Sequence, residues 1–168
     1  MVKLKLEFQD FDPSIWRHYI SNNEQAGIRF RSLVELGDTE DNRRRLYELN
    51  KTCSADIPGR GPFYSYEEYQ NVRLLTESFI PAGVILATDG SVWVGMSAVS
   101  YNKDKNIVHN EMTGVLREYR RRGIATALKV LSLEFARSLG QPVIYTVHAA
   151  ANLPMITMNR RLGYTDCT

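Results

Sequence analysis

Val115-Leu-Arg-Glu-Tyr-Arg-Arg-Arg-Gly-Ile-Ala125 carries the chain from an apolar strand end, Met112 to Leu116, through a basic turn into a strong helix. Glycine and alanine at Gly123 and Ala125 allow close approach to the backbone. A helix start also offers unpaired N–H groups and a positive dipole end, both of which suit an anion. The stretch therefore reads as a phosphate-binding strand-to-helix turn. The plainer alternative is that Arg120 to Arg122 form a solvated charge run ahead of a surface helix.

Outward from this stretch the pattern sharpens. Ile124, Ala127, Leu128, Leu131 and Phe135 form one helical stripe, and Gly140 is placed to end the helix. Pro142 to Val147 reads as a strand. Asn152 to Tyr164 reads as a second helix, with Asn152 at the N-cap, Pro154 in the first turn and Gly163 at the end.

The spacing Arg120-x-x-Gly123-x-Ala125, preceded by Thr113-Gly114-Val115 and followed by Asn152-x-Pro154-Met155 and Asn159-Arg160-Arg161-Leu162-Gly163-Tyr164, resembles the GNAT family of acyl-CoA-dependent N-acetyltransferases. The resemblance runs from about Gly27 to Tyr164 and is strongest from Val115 onward. It implies a mixed α/β (α+β) fold, with a mostly antiparallel twisted sheet flanked by helices.

Earlier in the chain, Val2, Leu4, Leu6 and Phe8 alternate with polar residues as in a strand, and a short helix follows near Pro13 to Ser21. A strand is expected around Ile28 to Val34 and a helix from about Thr39 to Lys51. Ser65 and Glu68 have capping-box spacing for another helix, to about Glu77. Between these two helices lies the Gly/Pro-rich loop Cys53 to Tyr64, which either shapes a pocket or simply connects. Val84 to Thr88 and Val92 to Tyr101, joined by Asp89-Gly90, predict a hairpin, and Ile107 to Leu116 continues the meander. The whole chain, 1–168, reads as one domain, with 1–26 a strand-helix extension and 27–164 the core. The fold implied by the resemblance usually closes with one or two more strands, yet only Thr165 to Thr168 remain, so the C-terminal strands look short or missing. The strand Val2 to Phe8, from this chain or from a neighbouring copy, is a candidate for the open edge.

Composition restricts the function classes. Twenty-one Lys and Arg against 19 Asp and Glu give a formal charge of +2, which gives no support to a nucleic-acid or anionic-membrane partner. Arg43 to Arg45 read as the wet face of a helix. Two cysteines, Cys53 and Cys167, with no Cys-x-x-Cys or histidine cluster, indicate neither a disulfide framework nor a metal site. With no long hydrophobic run near the N-terminus, the expectation is a cytoplasmic protein.

The resemblance also implies roles. Acetyl-CoA is the expected co-substrate and a small-molecule or peptide amine the acceptor, with acetyl transfer by direct attack in a ternary complex. The diphosphate would lie on main-chain N–H groups of Arg121, Arg122, Gly123, Ile124, Ala125 and Thr126, with charge from Arg120 to Arg122. Main-chain groups of Thr113 and Val115 would pair with the pantetheine arm, and Asn152 would face that arm, cap its helix, or do both. Glu111 is the candidate base, expected on the same strand face as Thr113, and His109 shares its parity. His148 is a second candidate catalytic residue. The tyrosine that often protonates the thiolate falls at Asn159, which cannot donate such a proton; a structural role is the first expectation there. Met155 is expected in the core, and Tyr164 as the aromatic that closes the helix. A non-catalytic acyl-CoA-binding domain is the alternative that the missing acid favours, with a nucleic-acid module a more distant one. An uncovered sheet edge leaves room for a homodimer, and the acceptor's identity stays open.

Overall fold

The computed structural model describes residues 1–167; Thr168, the last residue of the expected 1–168 domain, lies outside the described residues. The chain opens with β1 (Val2–Glu7), whose alternation buries Leu4 and Leu6. A 3-10 turn at Pro13–Trp16, capped by the Asp12 side chain, leads into α1 (Arg17–Gln25). β2 (Ile28–Ser32) ends earlier than expected. Ser32 and Glu35 close a capping box there, which turns Leu33 and Val34 into the short helix α2 (Leu33–Leu36).

Helix α3 (Glu40–Ser54) is capped by Thr39, and α4 (Tyr66–Tyr69) starts at the expected Ser65/Glu68 box. After one turn α4 widens into a π turn at Gln70–Leu74. The meander follows as β3 (Phe79–Asp89), β4 (Val92–Asn102) and β5 (Ile107–Val115). The last elements are α5 (Ile124–Arg137), β6 (Val143–His148), α6 (Leu153–Leu162) and β7 (Thr165–Asp166).

One seven-stranded sheet runs β2-β3-β4-β5-β6-β1-β7. Every neighbouring pair is antiparallel except β5 and β6. The C-terminal strand is indeed short. The open edge is filled from this same chain: β1 lies along the whole of β6, from Val2 opposite His148 to Glu7 opposite Val143, and carries β7 on its far side. Ile20, Ala127, Val130, Leu133 and Ile156 build one core with the sheet, on the side of α1, α5 and α6. Leu46, Leu49 and Tyr69 build a second core under α3 and α4.

Candidate active site

The strands β5 and β6 run side by side only briefly, pairing at Val108 with Ile144 and at His109 with Tyr145. The Thr146 hydroxyl then donates to the Asn110 carbonyl at 3.0 Å, the last link before the strands part. Beyond it β6 follows β1, whereas β5 stays with β4. The Leu116 N–H donates to the Val94 carbonyl, and in an antiparallel ladder alternate residues turn to opposite sides. The main-chain groups of Thr113 and Val115 therefore turn toward the gap.

The gap opens on the start of α5. No protein acceptor takes the N–H groups of Arg121 to Thr126 among the described hydrogen bonds, and α5 has no side-chain cap. Two left-handed residues, Arg121 at φ 64° and Gly123 at φ 78°, shape this turn. The structure changes the reason for the glycine. A Cβ on Gly123 would lie 2.6 Å from Tyr19 of α1, so the close neighbour is the chain's own N-terminal helix. Asn23 of α1 also donates to the Arg122 carbonyl at 3.0 Å.

The three arginines divide their work. The Arg120 Nε donates to the Val115 carbonyl at 3.0 Å, and its Nη2 lies 2.9 Å from Asp56. Asp56 also meets Arg117 at 2.5 Å, and these two guanidinium groups hold its carboxyl below the usual range. Arg122 lies over the Tyr119 ring and donates to the Glu118 carbonyl. All three are exposed, and Arg121 alone of them makes no side-chain bond among the described residues.

Glu111 and Thr113 do not share a face, contrary to expectation. Ser97 faces Thr113 and Val99 faces Asn110, so Ala98 alone opposes both Glu111 and Met112. This bulge reverses the alternation. Glu111 looks toward α3 and α4, accepting from the Ser100 hydroxyl at 2.6 Å and lying 3.6 Å from Arg73. With Tyr69, Arg73, Phe79, Met96 and Met112 it lines a pocket of about 100 Å³. Thr113 looks the other way, and its hydroxyl bonds Ser97 at 2.8 Å. His109 stands beside the Tyr145 ring, 6.1 Å between centroids.

On the α5 side, beneath the point of parting, lies a buried polar cluster that the sequence did not announce. Lys129 is 1% exposed, and its ammonium donates to the Asn110 side chain. Asn110 in turn donates to Ser97 and to the Ala98 carbonyl. Burial alone lowers Lys129 to about 7. His148 is partly buried; its Nε2 lies 2.7 Å from the Asn159 Nδ2, which donates to it, and 3.4 Å from the Thr146 hydroxyl. Burial, and then the Lys129 charge, lowers His148 to about 4, so its ring is neutral near pH 7. The Asn159 Oδ1 and the Tyr164 hydroxyl are buried without a partner. Tyr164 is the expected closing aromatic, and its ring lies 5.1 Å from the Lys129 Nζ.

Asn152 sits at the N-cap of α6 but makes no side-chain cap bond. Met155 is half-buried and lies outside the core clusters. The Arg43 to Arg45 run is packed over aromatic rings: Arg43 over Phe79 at 5.1 Å, Arg44 over Tyr66 at 4.3 Å and Arg45 over Trp93 at 4.3 Å. Among the described residues no helix is long and apolar enough to cross a membrane.

A family model described as "Acetyltransferase (GNAT) family" matches residues 43–164. No curated protein matches the sequence. Among solved structures, a GCN5-related N-acetyltransferase from Sphaerobacter thermophilus is similar at TM-score 0.66 and 18% identity, covering 99% of this chain and 48% of that one. This chain thus spans about half the length of that protein. The ribosomal-protein-S18-alanine N-acetyltransferase from Escherichia coli is similar at TM-score 0.64 and 14% identity, over 84% of this chain and 79% of that one. An aminoglycoside N-acetyltransferase in complex with CoA is similar at TM-score 0.59 and 15% identity, over 84% of this chain and 90% of that one. At such identities the likeness establishes the fold.

Proposed function

Since the chain belongs to the acetyltransferase (GNAT) family, we propose that it moves the acetyl group of acetyl-CoA onto a primary amine by direct attack, with both substrates bound at once. The observation that carries this reading is the parting of β5 and β6 beyond His109 and Tyr145, in line with unpaired N–H groups at the start of α5. The diphosphate of the co-substrate suits the amides of Arg121 to Thr126, joined by the free Arg121 guanidinium. Thr113 and Val115 offer main-chain groups to an extended amide chain laid in the gap, and the unbonded Asn152 side chain adds a polar group beside it. Arg120, tied to Val115 and Asp56, holds the turn in shape. The thioester supplies an activated carbonyl.

The acceptor enters from the other face of the sheet, through the pocket under α3 and α4. There Glu111 is the base: its carboxylate is fixed by Ser100 and stands where a cationic amine would be drawn in and relieved of its proton. Arg73, 3.6 Å away, is its ion-pair partner on the wall of the pocket. Calorimetric titration with CoA, followed by an amine panel read as free thiol released from acetyl-CoA, tests the proposal. Micromolar or tighter binding and amine-dependent release are expected. Binding without release for every amine would favour an acyl-CoA-binding domain, and absence of binding would end both readings.

A further inference from the structure

Acyl transfer from a thioester leaves a thiolate, and the buried cluster on the α5 side of the gap is where its charge must be met. Asn159 has no proton of useful acidity. Tyr164 is buried, with its acidity suppressed by desolvation. His148 is neutral, and its Nε2 is occupied by Asn159. One ammonium group remains. Lys129 reaches up from α5 to Asn110, and Asn110 is the residue whose carbonyl makes the last bond between β5 and β6 before the gap opens.

The Lys129 Nζ meets Asn110 of β5 and the ring of Tyr164, and its charge depresses the titration of His148; the same cluster reaches Ser97 of β4 through Asn110, and Thr146 and Asn159 through His148. The titratable members are His148 and Tyr164, and no carboxylate pairs with the lysine among the described residues. Its only hydrogen-bond partner there is the Asn110 side chain, so two of its three N–H donors have no protein acceptor. A buried charge that lacks both a counter-ion and a full set of acceptors is costly in a resting protein. It becomes favourable when an anion arrives at the apex of the gap.

We propose that Lys129 faces the sulfur of the bound acyl-CoA and balances the departing thiolate as an ammonium–thiolate ion pair. The proposal rests on the acyl-transfer reading above. The acceptor nitrogen bonds to the thioester carbon while Glu111 takes its proton, and the carbon–sulfur bond breaks with its electron pair on sulfur. Lys129 keeps its proton and pairs with the thiolate, and CoA takes up a proton from solvent as it leaves the site. Burial strengthens the pair, because opposite charges attract more strongly in surroundings of low dielectric constant.

The test needs no knowledge of the acceptor. The thiol of CoA is titrated by its thiolate ultraviolet absorbance, free and when bound to the wild-type protein, to Lys129→Met and to Lys129→Gln. The bound thiol is expected to ionise at least tenfold more readily than free CoA in the wild type, and no more readily than free CoA in either variant. CoA affinity, which rests on the diphosphate, should change less than about threefold. An unshifted thiol in the wild-type complex overturns the role of Lys129 even if both variants fail to fold, while CoA binding itself keeps the acyl-CoA reading. A shift that persists in a folded variant overturns it too. A wild-type protein that binds no CoA overturns the underlying function and the inference with it.

Discussion

At the residue scale, the two faces of β5 divide the chemistry. The bulge at Glu111 and Met112 sends Glu111 to the pocket under α3 and α4 and Thr113 to the α5 side, so that the proposed base and the buried ammonium stand on opposite faces of the sheet. Glu111→Gln should reduce turnover on the order of 10²-fold while leaving CoA affinity nearly unchanged, because it removes the proposed base and spares the amides that open α5. Parallel steady-state kinetics and calorimetry check this; equal losses in both would place Glu111 in a structural role. Lys129 predicts a stability effect of definite sign. Its folded value of about 7 lies below the ordinary 10.5, so between these limits the unfolded chain binds a proton that the native chain does not. Stability therefore rises with pH across that window. His148, lowered from 6.5 to about 4, acts in the same sense, with stability falling as pH drops across that interval. Lys129→Met should raise stability at pH 6 by about 1 to 4 kcal/mol, by removing a buried unpaired charge. Thermal unfolding as a function of pH measures both effects, and a flat profile between neutrality and pH 10 would contradict the assignment for the lysine.

At the scale of elements, α1 and β1 are working parts of the core. Tyr19 fills the space above Gly123, whose φ of 78° already disfavours a side chain. Gly123→Ala should destabilise by about 1 to 2 kcal/mol through that backbone strain together with the clash. Adding Tyr19→Ala should recover the part that is due to contact, and a double-mutant cycle isolates it. Strict additivity would separate the two residues. Leu6, 1% exposed on β1, packs in the core of α5 and α6, so Leu6→Ala should cost about 2 to 5 kcal/mol in denaturant unfolding. An effect below about 1 kcal/mol would mean that β1 adds little to the sheet.

At the scale of the whole molecule, most of the architecture was legible because its signals are local. The alternation in β1, the Asp89-Gly90 turn, the capping boxes and the apolar face of α5 all announce themselves within a few residues. The left-handed glycine turn that opens α5 was legible too, in the spacing of arginine, glycine and alanine. What stayed hidden depends on distant partners. The bulge that reverses Glu111 arises from the register between β4 and β5, and no residue type marks it. Tyr19 above Gly123, and β1 lying between β6 and β7, are long-range contacts. Lys129 could have been suspected from its place among Ala127, Leu128, Val130 and Leu133, where a lysine must either reach solvent or find a buried partner; only the fold shows that Asn110 is that partner.

The central claim is that the gap between β5 and β6 and the amides opening α5 form one continuous site for acyl-CoA. Two-dimensional amide NMR of the isotope-labelled protein during a CoA titration tests it most directly. The account expects the largest shifts at Arg121 to Thr126, with Thr113 and Val115 moving at the same saturation. CoA binding that leaves those amides unmoved, or no binding at all, would contradict it.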